Sequence, residues 1–243
     1  PTTYGRLSSL TVIQDGRTTT TGFSYTTTAY DLTETRTITG ADRTTSVAIR
    51  RFQPATNQLL EVQSSNGNPI VYDHDVAGRV TAETVAPGTA GQARRAYAYS
   101  FAQGGTPAQM RTTDAQGKVY ATSYDGLGRI VASAEVLNGS TQRQISTTSY
   151  DRMGRKATDT KRDEAGGASL VLTTRYAYSD WDDVARTTNP DGSVTLSLRD
   201  RVANTMTTGT QGLNTTITSF NAFDKPVTVV QVDSLGGRIQ TLA

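Results

Sequence analysis

The stretch SYDGLGR at 123–129 is written again as SYDRMGR at 149–155, 26 residues further along the chain. Both copies contain Tyr-Asp-x-x-Gly-Arg, and four letters at set spacing match by chance roughly once in 10⁵ positions. Aspartate accepts backbone N–H groups in a turn, and glycine takes a positive φ that other residues resist. The motif therefore predicts a chain reversal, in which tyrosine ends the incoming strand and arginine begins the outgoing one.

The motif also occurs in less regular copies. The intact copies place the repeat residues at Tyr124, Asp125, Gly128 and Arg129, and at Tyr150, Asp151, Gly154 and Arg155. A third copy, YDHDVAGR, begins with Tyr72 and Asp73 and reaches Gly78 and Arg79 after two extra residues. One more step of 26 residues leads to Tyr176 in RYAYSDWDDVAR, which keeps Arg186 and lacks the glycine. FNAFDK at 220–225 is a worn copy with Phe220 for tyrosine and Lys225 for arginine.

Alternating threonines indicate that most of the chain is β-structure. In LTETRTIT, threonine occupies every second position from Thr33 to Thr39, a period that is typical of a strand with two unlike faces. Turn signals such as DG at 15–16 and DG at 191–192 separate the β-rich runs, and no stretch shows a sustained helical period. The sequence predicts an all-β fold built from consecutive antiparallel hairpins.

Composition excludes several functional classes. The 243 residues include 24 basic and 22 acidic side chains, a balance that provides no electrostatic basis for binding nucleic acid or an anionic membrane. With no cysteine, the chain has no disulfide and no cysteine nucleophile. No apolar run approaches the roughly 18 residues of a membrane span, and the first residues show no signal peptide. We expect no cofactor, no nucleic-acid partner and no membrane span.

A single hairpin of this kind cannot bury its faces alone and must stack on its neighbours. The arginine of one hairpin and the tyrosine of the next can meet as a cation–π or hydrogen-bonded pair. We interpret residues 1–243 as one continuous repeat region, with clear repeats over 60–243 and degenerate ones over 1–60.

The YDxxGR copies, with a period in the twenties, resemble the Rhs/YD-repeat proteins over most of residues 60–243. That family includes bacterial Rhs toxin shells, a cage component of insecticidal toxin complexes and the animal teneurins. Its successive hairpins form one long sheet that spirals into a hollow shell, and its motif residues are structural positions. Because those shells are far longer and their DPxGL signature is absent here, the chain is interpreted either as a section of a longer protein or as a short repeat protein with another role.

The resemblance implies a structural function without enzymatic activity, in which the shell encapsulates a toxin or effector polypeptide before delivery. The implied partners are the remainder of the same shell, the enclosed polypeptide and a secretion or toxin-delivery apparatus, and the implied location is outside the bacterial cell that exports it. An alternative hypothesis is an extracellular module that recognises glycans or protein partners through its sheet face and loops. Trp181 is its candidate ligand-stacking residue, because aromatic faces bind apolar ring surfaces.

Two further groups of residues have chemical potential. His74 is the only histidine, so any Ser-His-Asp site would depend on it, and it lies between Asp73 and Asp75. The run SDWDD at 179–183 offers the oxygen ligands that calcium prefers, but the spacing of an EF-hand is missing. Both groups are interpreted as turn residues, and a carbohydrate enzyme ranks as the third hypothesis.

Overall fold

The computed structural model describes residues 5–65, 67–139, 141–165 and 168–242. All regular secondary structure in these residues is β-strand, and the twenty strands belong to one antiparallel sheet. The predicted all-β fold of consecutive antiparallel hairpins is therefore confirmed. The spiral course of the sheet and the hollow shell remain predictions.

Contacts within the chain define two compact units, of which unit 1 comprises residues 1–100 and 110–120. Its strands are β1 (Ser9–Gln14), β2 (Arg17–Thr27), β3 (Leu32–Thr39), β4 (Thr45–Phe52), β5 (Leu59–Ser64), β6 (Ile70–His74), β7 (Val80–Val85) and β8 (Ala93–Ser100). From β1 to β8, each strand pairs with its neighbour in the chain. Strand β3 is the predicted LTETRTIT strand, and its threonines lie opposite β2 residues in pairs such as Thr20–Thr39 and Thr26–Thr33.

Unit 2 comprises residues 101–109 and 121–243, so that β9 (Ala108–Thr113) and β10 (Val119–Tyr124) contribute to both units. Its other strands are β11 (Ile130–Leu137), β12 (Thr141–Tyr150), β13 (Lys156–Ala165), β14 (Ala168–Tyr178), β15 (Val184–Thr188), β16 (Val194–Asp200), β17 (Thr205–Thr210), β18 (Thr215–Phe220), β19 (Pro226–Val232) and β20 (Arg238–Leu242). From β11 onward each strand pairs with its successor. The single continuous repeat region expected over 1–243 stays a prediction.

The Asp-x-x-Gly motif closes a tight turn with two backbone hydrogen bonds. In the 125–129 turn, the Gly128 N–H donates to the Asp125 carbonyl at 3.0 Å, and the Asp125 N–H donates to the Arg129 carbonyl at 2.9 Å. Gly128 has a φ of 76°, in the left-handed region where a Cβ atom would be strained. After the equivalent turn at 151–155, the pairing of β12 with β13 shifts register beside Tyr150, as expected for a bulged hairpin loop.

The same pair of backbone bonds recurs along the described part of the chain. It closes the turns at 40–44, 75–79, 114–118, 125–129, 151–155, 179–183, 189–193, 221–225 and 233–237. Where the fourth residue is not glycine, it still has a positive φ, as at Arg43 (65°), Asp182 (64°) and Asp224 (56°). The backbone conformation of these turns is therefore more regular than their amino-acid sequences.

The sheet has little buried core. Among the described residues, the buried apolar side chains are Leu32, Ala82, Ala86, Ala121 and Ala134. Stability must therefore come chiefly from strand pairing, cross-strand contacts and the side chains of the turns.

Replacing Gly128 by valine should lower the free energy of unfolding by about 1–3 kcal/mol, because a β-branched residue would have to adopt a positive φ. Space is not the obstacle, since a Cβ atom at Gly128 would meet nothing within 4 Å. Gly128→Asn should cost less, because asparagine tolerates this conformation. Denaturant melts of the variants measure the differences.

Gly126→Val is the matched control. This glycine lies two residues earlier in the same turn, its Cβ position is equally open, and its φ is outside the left-handed range. Equal losses of stability in Gly126→Val and Gly128→Val would contradict the assignment of strain to φ.

Candidate functional site

The carboxylate of Asp125 organises its turn from within. Its Oδ1 atom accepts the backbone N–H groups of Leu127 and Arg129, each at 2.9 Å. Its Oδ2 atom accepts Nε and Nη2 of Arg129, each at 2.7 Å. One carboxylate thus closes the reversal and holds the arginine in a planar, two-pronged ion pair.

The same arginine reaches the next hairpin of the repeat. The guanidinium carbon of Arg129 lies 4.0 Å from the centre of the Tyr150 ring, and the Tyr150 hydroxyl donates to the Ile130 carbonyl at 2.9 Å. Arg129 Nη1 also donates to the Gly154 carbonyl at 3.1 Å. We call this set, an arginine paired with its own turn and stacked on the next aromatic ring, the latch.

The latch recurs with nearly constant geometry. Arg155 lies 4.4 Å from the ring centre of Tyr178, whose hydroxyl donates to the Lys156 carbonyl at 2.9 Å. Arg79 lies 4.6 Å from that of Tyr99, whose hydroxyl donates to the Val80 carbonyl at 2.8 Å. Of the two contacts that the sequence predicted between arginine and tyrosine, the cation–π contact is therefore present between neighbouring hairpins. The tyrosine hydroxyl hydrogen-bonds to the backbone carbonyl of the residue after the arginine and not to the arginine itself.

Two further contacts between an arginine and an aromatic ring involve residues that the motif did not identify. Near the start of the chain, Arg6 lies 5.2 Å from the Tyr25 ring centre, and the Tyr25 hydroxyl donates to the Leu7 carbonyl at 3.0 Å. In unit 2, Arg199 lies 4.3 Å from the ring centre of Phe220, which has no hydroxyl to contribute. Arg199 precedes its turn instead of following it, so no search for the ordered motif could have found it.

The third copy of the motif requires a correction. The aspartate that closes the turn before Gly78 is Asp75, whose Oδ1 accepts the N–H groups of Ala77 and Arg79 and whose Oδ2 accepts Nε of Arg79. Tyr72 and Asp73 lie within β6, opposite residues of β7. The assignment of Asp73 to the turn was therefore wrong, and His74 occupies the position that tyrosine holds elsewhere.

The copy in RYAYSDWDDVAR at 175–186 also requires a correction. Tyr178, not Tyr176, contacts the arginine of the preceding turn, Arg155. Arg186 lies in the middle of β15, opposite Ala177 of β14. The turn itself runs from Ser179 to Asp183, with a different residue at each motif position after the tyrosine. Counting 26 residues failed here because the β13–β14 hairpin is longer than the preceding one.

The acidic run at 179–183 is engaged by arginines. Arg155 Nη1 donates to an oxygen of Asp182 at 2.5 Å, and Arg201 Nη2 donates to one of Asp183 at 3.0 Å. The described residues contain no group of three or more His, Asp or Glu side chains that could hold a metal ion. Two of the three aspartates of this run, Asp182 and Asp183, are therefore held in the protein's own ion pairs.

Trp181 stands at the tip of this turn with 61% of its surface exposed. The Arg201 guanidinium lies 5.2 Å from the centre of the Trp181 ring, so the indole already makes a cation–π contact within the protein. A groove of about 660 Å³ is lined by Asp183, Arg199, Arg201 and Asp224, among others, but not by Trp181. Arg199 pairs with Asp224, and Arg201 with Asp183, so these four charges compensate one another.

The latch shifts the pKa of its carboxylates. The backbone N–H and then the guanidinium of Arg79 lower the pKa of Asp75, and those of Arg129 do the same for Asp125. At Asp151, desolvation opposes the shift, but hydrogen bonds from Arg155 outweigh it and lower the pKa. These carboxylates are held in the charged form, which suits a structural ion pair and is unsuited to a general acid at neutral pH.

No helix in the described residues has the length and apolar character needed to cross a membrane.

No protein-family model and no curated protein sequence matches the chain. Solved structures do match, including the crystal structure of TcdB2-TccC3-TEV, at 12% identity and a TM-score of 0.50 over 96% of this chain. The TcdB2-TccC3-Cdc42 crystal structure (13% identity, TM-score 0.49) and the Photorhabdus luminescens Tc holotoxin pore carrying TccC3-D651A (13%, 0.48) each match over 96% of this chain. The chain spans about 15% of the length of each of these solved chains.

At this identity the likeness concerns the fold. It confirms, for the fold, the resemblance to Rhs/YD-repeat proteins that the YDxxGR copies predicted.

A double-mutant cycle on Arg129→Met and Tyr150→Leu should give a coupling energy of about 0.5–2 kcal/mol, because the two side chains stabilise each other across neighbouring hairpins. Free energies of unfolding of the parent, both single variants and the double variant supply the measurement. Tyr30, a tyrosine that is 83% exposed, provides the control: Arg129→Met with Tyr30→Leu should be additive. Additivity at both pairs would mean that the stacking does not stabilise the fold.

Acid should weaken the protein through the latch carboxylates. A carboxyl group whose pKa is lowered by folding stabilises the folded state above its unfolded pKa of about 4, and this stability disappears as the pH falls through the folded pKa. Asp125→Asn keeps an oxygen acceptor and removes the charge, so its unfolding free energy should depend less on pH below about 4 than that of the parent. Asp180→Asn, an exposed change in another turn, is the control, and an identical acid response in Asp125→Asn and the parent would refute the idea.

Proposed function

We propose that this chain is a section of the wall of a β-shell that encloses a toxin or effector polypeptide and keeps it sequestered until delivery. The observation that carries the proposal is a sheet whose hairpins are latched to one another and bury almost no core of their own. Such a sheet suits a wall better than a filled sandwich, in which facing side chains form an apolar layer.

The latches give this wall continuity. Arg129 and Arg155 each pair with an aspartate of their own turn and stack on a ring of the next hairpin, so consecutive hairpins are joined by side chains as well as by backbone. A wall built in this way can be extended by adding further hairpins, because each repeat contacts only its neighbours.

The polar character of the strands supports an enclosing role. Threonines such as Thr33, Thr35 and Thr37 lie on one face of β3, and neither face of an enclosing wall needs a continuous apolar lining. An enclosed chain is protected by sterics alone, since it cannot meet a protease or a substrate. In this proposal no residue of the chain performs chemistry, and a bacterial delivery system exports the assembled protein.

A binding module remains the second candidate, and the exposed ring of Trp181 is the observation that favours it. The indole could stack on a sugar ring, although Arg201 already lies over it. Loss of glycan binding in Trp181→Ala, in a chain that encloses nothing, would favour this candidate over the shell.

Limited proteolysis of the natural chain that carries this segment tests the shell. We expect an enclosed polypeptide that resists cleavage for at least about ten times longer than the same polypeptide expressed alone, because a closed wall excludes the protease. A density map of the same sample should show the polypeptide surrounded by the sheet. A sample that contains no enclosed or protected polypeptide would contradict the proposal.

Variants that destabilise one hairpin test whether this section of the wall is needed to protect the enclosed polypeptide from the protease. Gly128→Val should increase the cleavage rate of the enclosed polypeptide several-fold, whereas Gly126→Val should leave it near the parent rate. If both variants protect the cargo as well as the parent does, this section is not required for enclosure.

A further inference from the structure

The β13–β14 hairpin has an edge that no other strand covers among the residues that the structure describes. Strand β14 pairs with β13 from Ala168 to Arg175, but with β15 only from Arg175 to Tyr178. Within the described residues, the segment 169–174 therefore has a strand partner on one side only. The backbone N–H and C=O groups that point to its other side form a template for another extended chain.

This uncovered segment is unusually apolar for an exposed position. Leu170, Val171 and Leu172 are consecutive and are 55%, 47% and 40% exposed. In a strand, consecutive side chains point to opposite faces, so this edge presents apolar groups on both faces of the sheet. Three adjacent exposed apolar residues on a free edge are avoided in soluble proteins unless they serve an interaction.

The order of the residues in this segment indicates what it can pair with. Residues 169–173 read Ser-Leu-Val-Leu-Thr, which has nearly the same character in both directions. If two copies pair antiparallel about Val171, each Leu170 lies opposite Leu172 of the other copy, and each Ser169 lies opposite Thr173. Every cross-strand pair is then apolar with apolar or hydroxyl with hydroxyl, the combinations that stabilise antiparallel strands.

We propose that this edge of β14 binds a second copy of the same chain, strand to strand, through a two-fold axis at Val171. A two-fold interface requires a surface that is complementary to itself, and this palindromic segment meets that requirement. The charged residues of β13 do not oppose the pairing, since Lys161, Arg162, Asp163 and Glu164 sum to no net charge. Because about five residue pairs bury less than a stable interface of about 1,200 Å² does, the expected dimer is weak.

A charged residue in place of Val171 provides the sharpest test. Because Val171 lies on the two-fold axis, the new side chain of one copy would lie directly opposite the same side chain of the other. Sedimentation velocity of the natural chain from about 10 to about 500 µM should show a monomer–dimer equilibrium. Val171→Glu and Val171→Arg should each weaken dimerisation at least about tenfold, since like charges would lie directly opposite. An equimolar mixture of the two variants should restore association to within about threefold of the parent, because opposite charges then face each other.

Cysteine cross-linking tests the same axis independently of any loss of stability. The chain has no cysteine of its own, so Val171→Cys can form a disulfide only with its counterpart. Directly opposite residues in antiparallel strands have Cα atoms about 4.5–5.5 Å apart, within the range of a disulfide. Val227→Cys, at a residue that is 51% exposed on β19, is the control for random collision and should cross-link at least about tenfold more slowly.

Three results would overturn the proposal. These are a monomer over the whole concentration range, a Val171→Glu variant that dimerises like the parent, and failure of the mixed variants to associate. Thermal melts of Val171→Glu and Val171→Arg must match the parent, and if they do not, the rate of the cysteine cross-link decides. None of these outcomes depends on whether the chain encloses a polypeptide.

Discussion

The arginine guanidinium of the latch is the group on which the rest of this structure depends. A single planar group closes its own turn through an aspartate, stacks on an aromatic ring of the next hairpin and, at Arg129, donates to the backbone of the following turn. Lysine could not replace it, because an ammonium group offers neither the two-pronged fork nor the flat face. Each hairpin is therefore held in place by its neighbour.

The scarcity of buried apolar side chains explains why the protein needs such a device. In an ordinary domain the hydrophobic core determines how the elements pack, but among the residues that the structure describes the largest buried apolar side chain here is that of Leu32. Strand pairing determines which hairpins are adjacent, and cross-strand pairs such as Thr20–Thr39 add small contributions along each strand. The latches strengthen the ends of the hairpins, where strand pairing alone is weakest.

The two corrected copies of the motif show why letters are an imperfect guide to a repeat. In YDHDVAGR the sequence offers two aspartates: Asp73 follows a tyrosine, whereas Asp75 has the Asp-x-x-Gly spacing to the positive-φ glycine. The backbone hydrogen bonds show that Asp75 closes the turn and that Asp73 lies in a strand. In the following copies, Asp182 and Asp224 take the place of glycine because short polar residues tolerate a positive φ. The feature that the copies share is the turn conformation, and several different sequences adopt it.

The sequence by itself determined the all-β class, the hairpin repeat and the pairing of arginine with an aromatic residue of the next hairpin, because alternation and Asp-x-x-Gly turns are local properties of the chain. It also identified Tyr124, Asp125, Gly128 and Arg129 as one turn and Phe220 as a substitute for tyrosine. Only the tertiary structure decided that Arg199 contacts an aromatic ring from the opposite side of its turn, that Tyr178 replaces Tyr176, and that β14 keeps an uncovered edge. These features depend on the relative lengths and registers of neighbouring strands, which arise from hydrogen bonding between distant residues and leave no local pattern in the sequence.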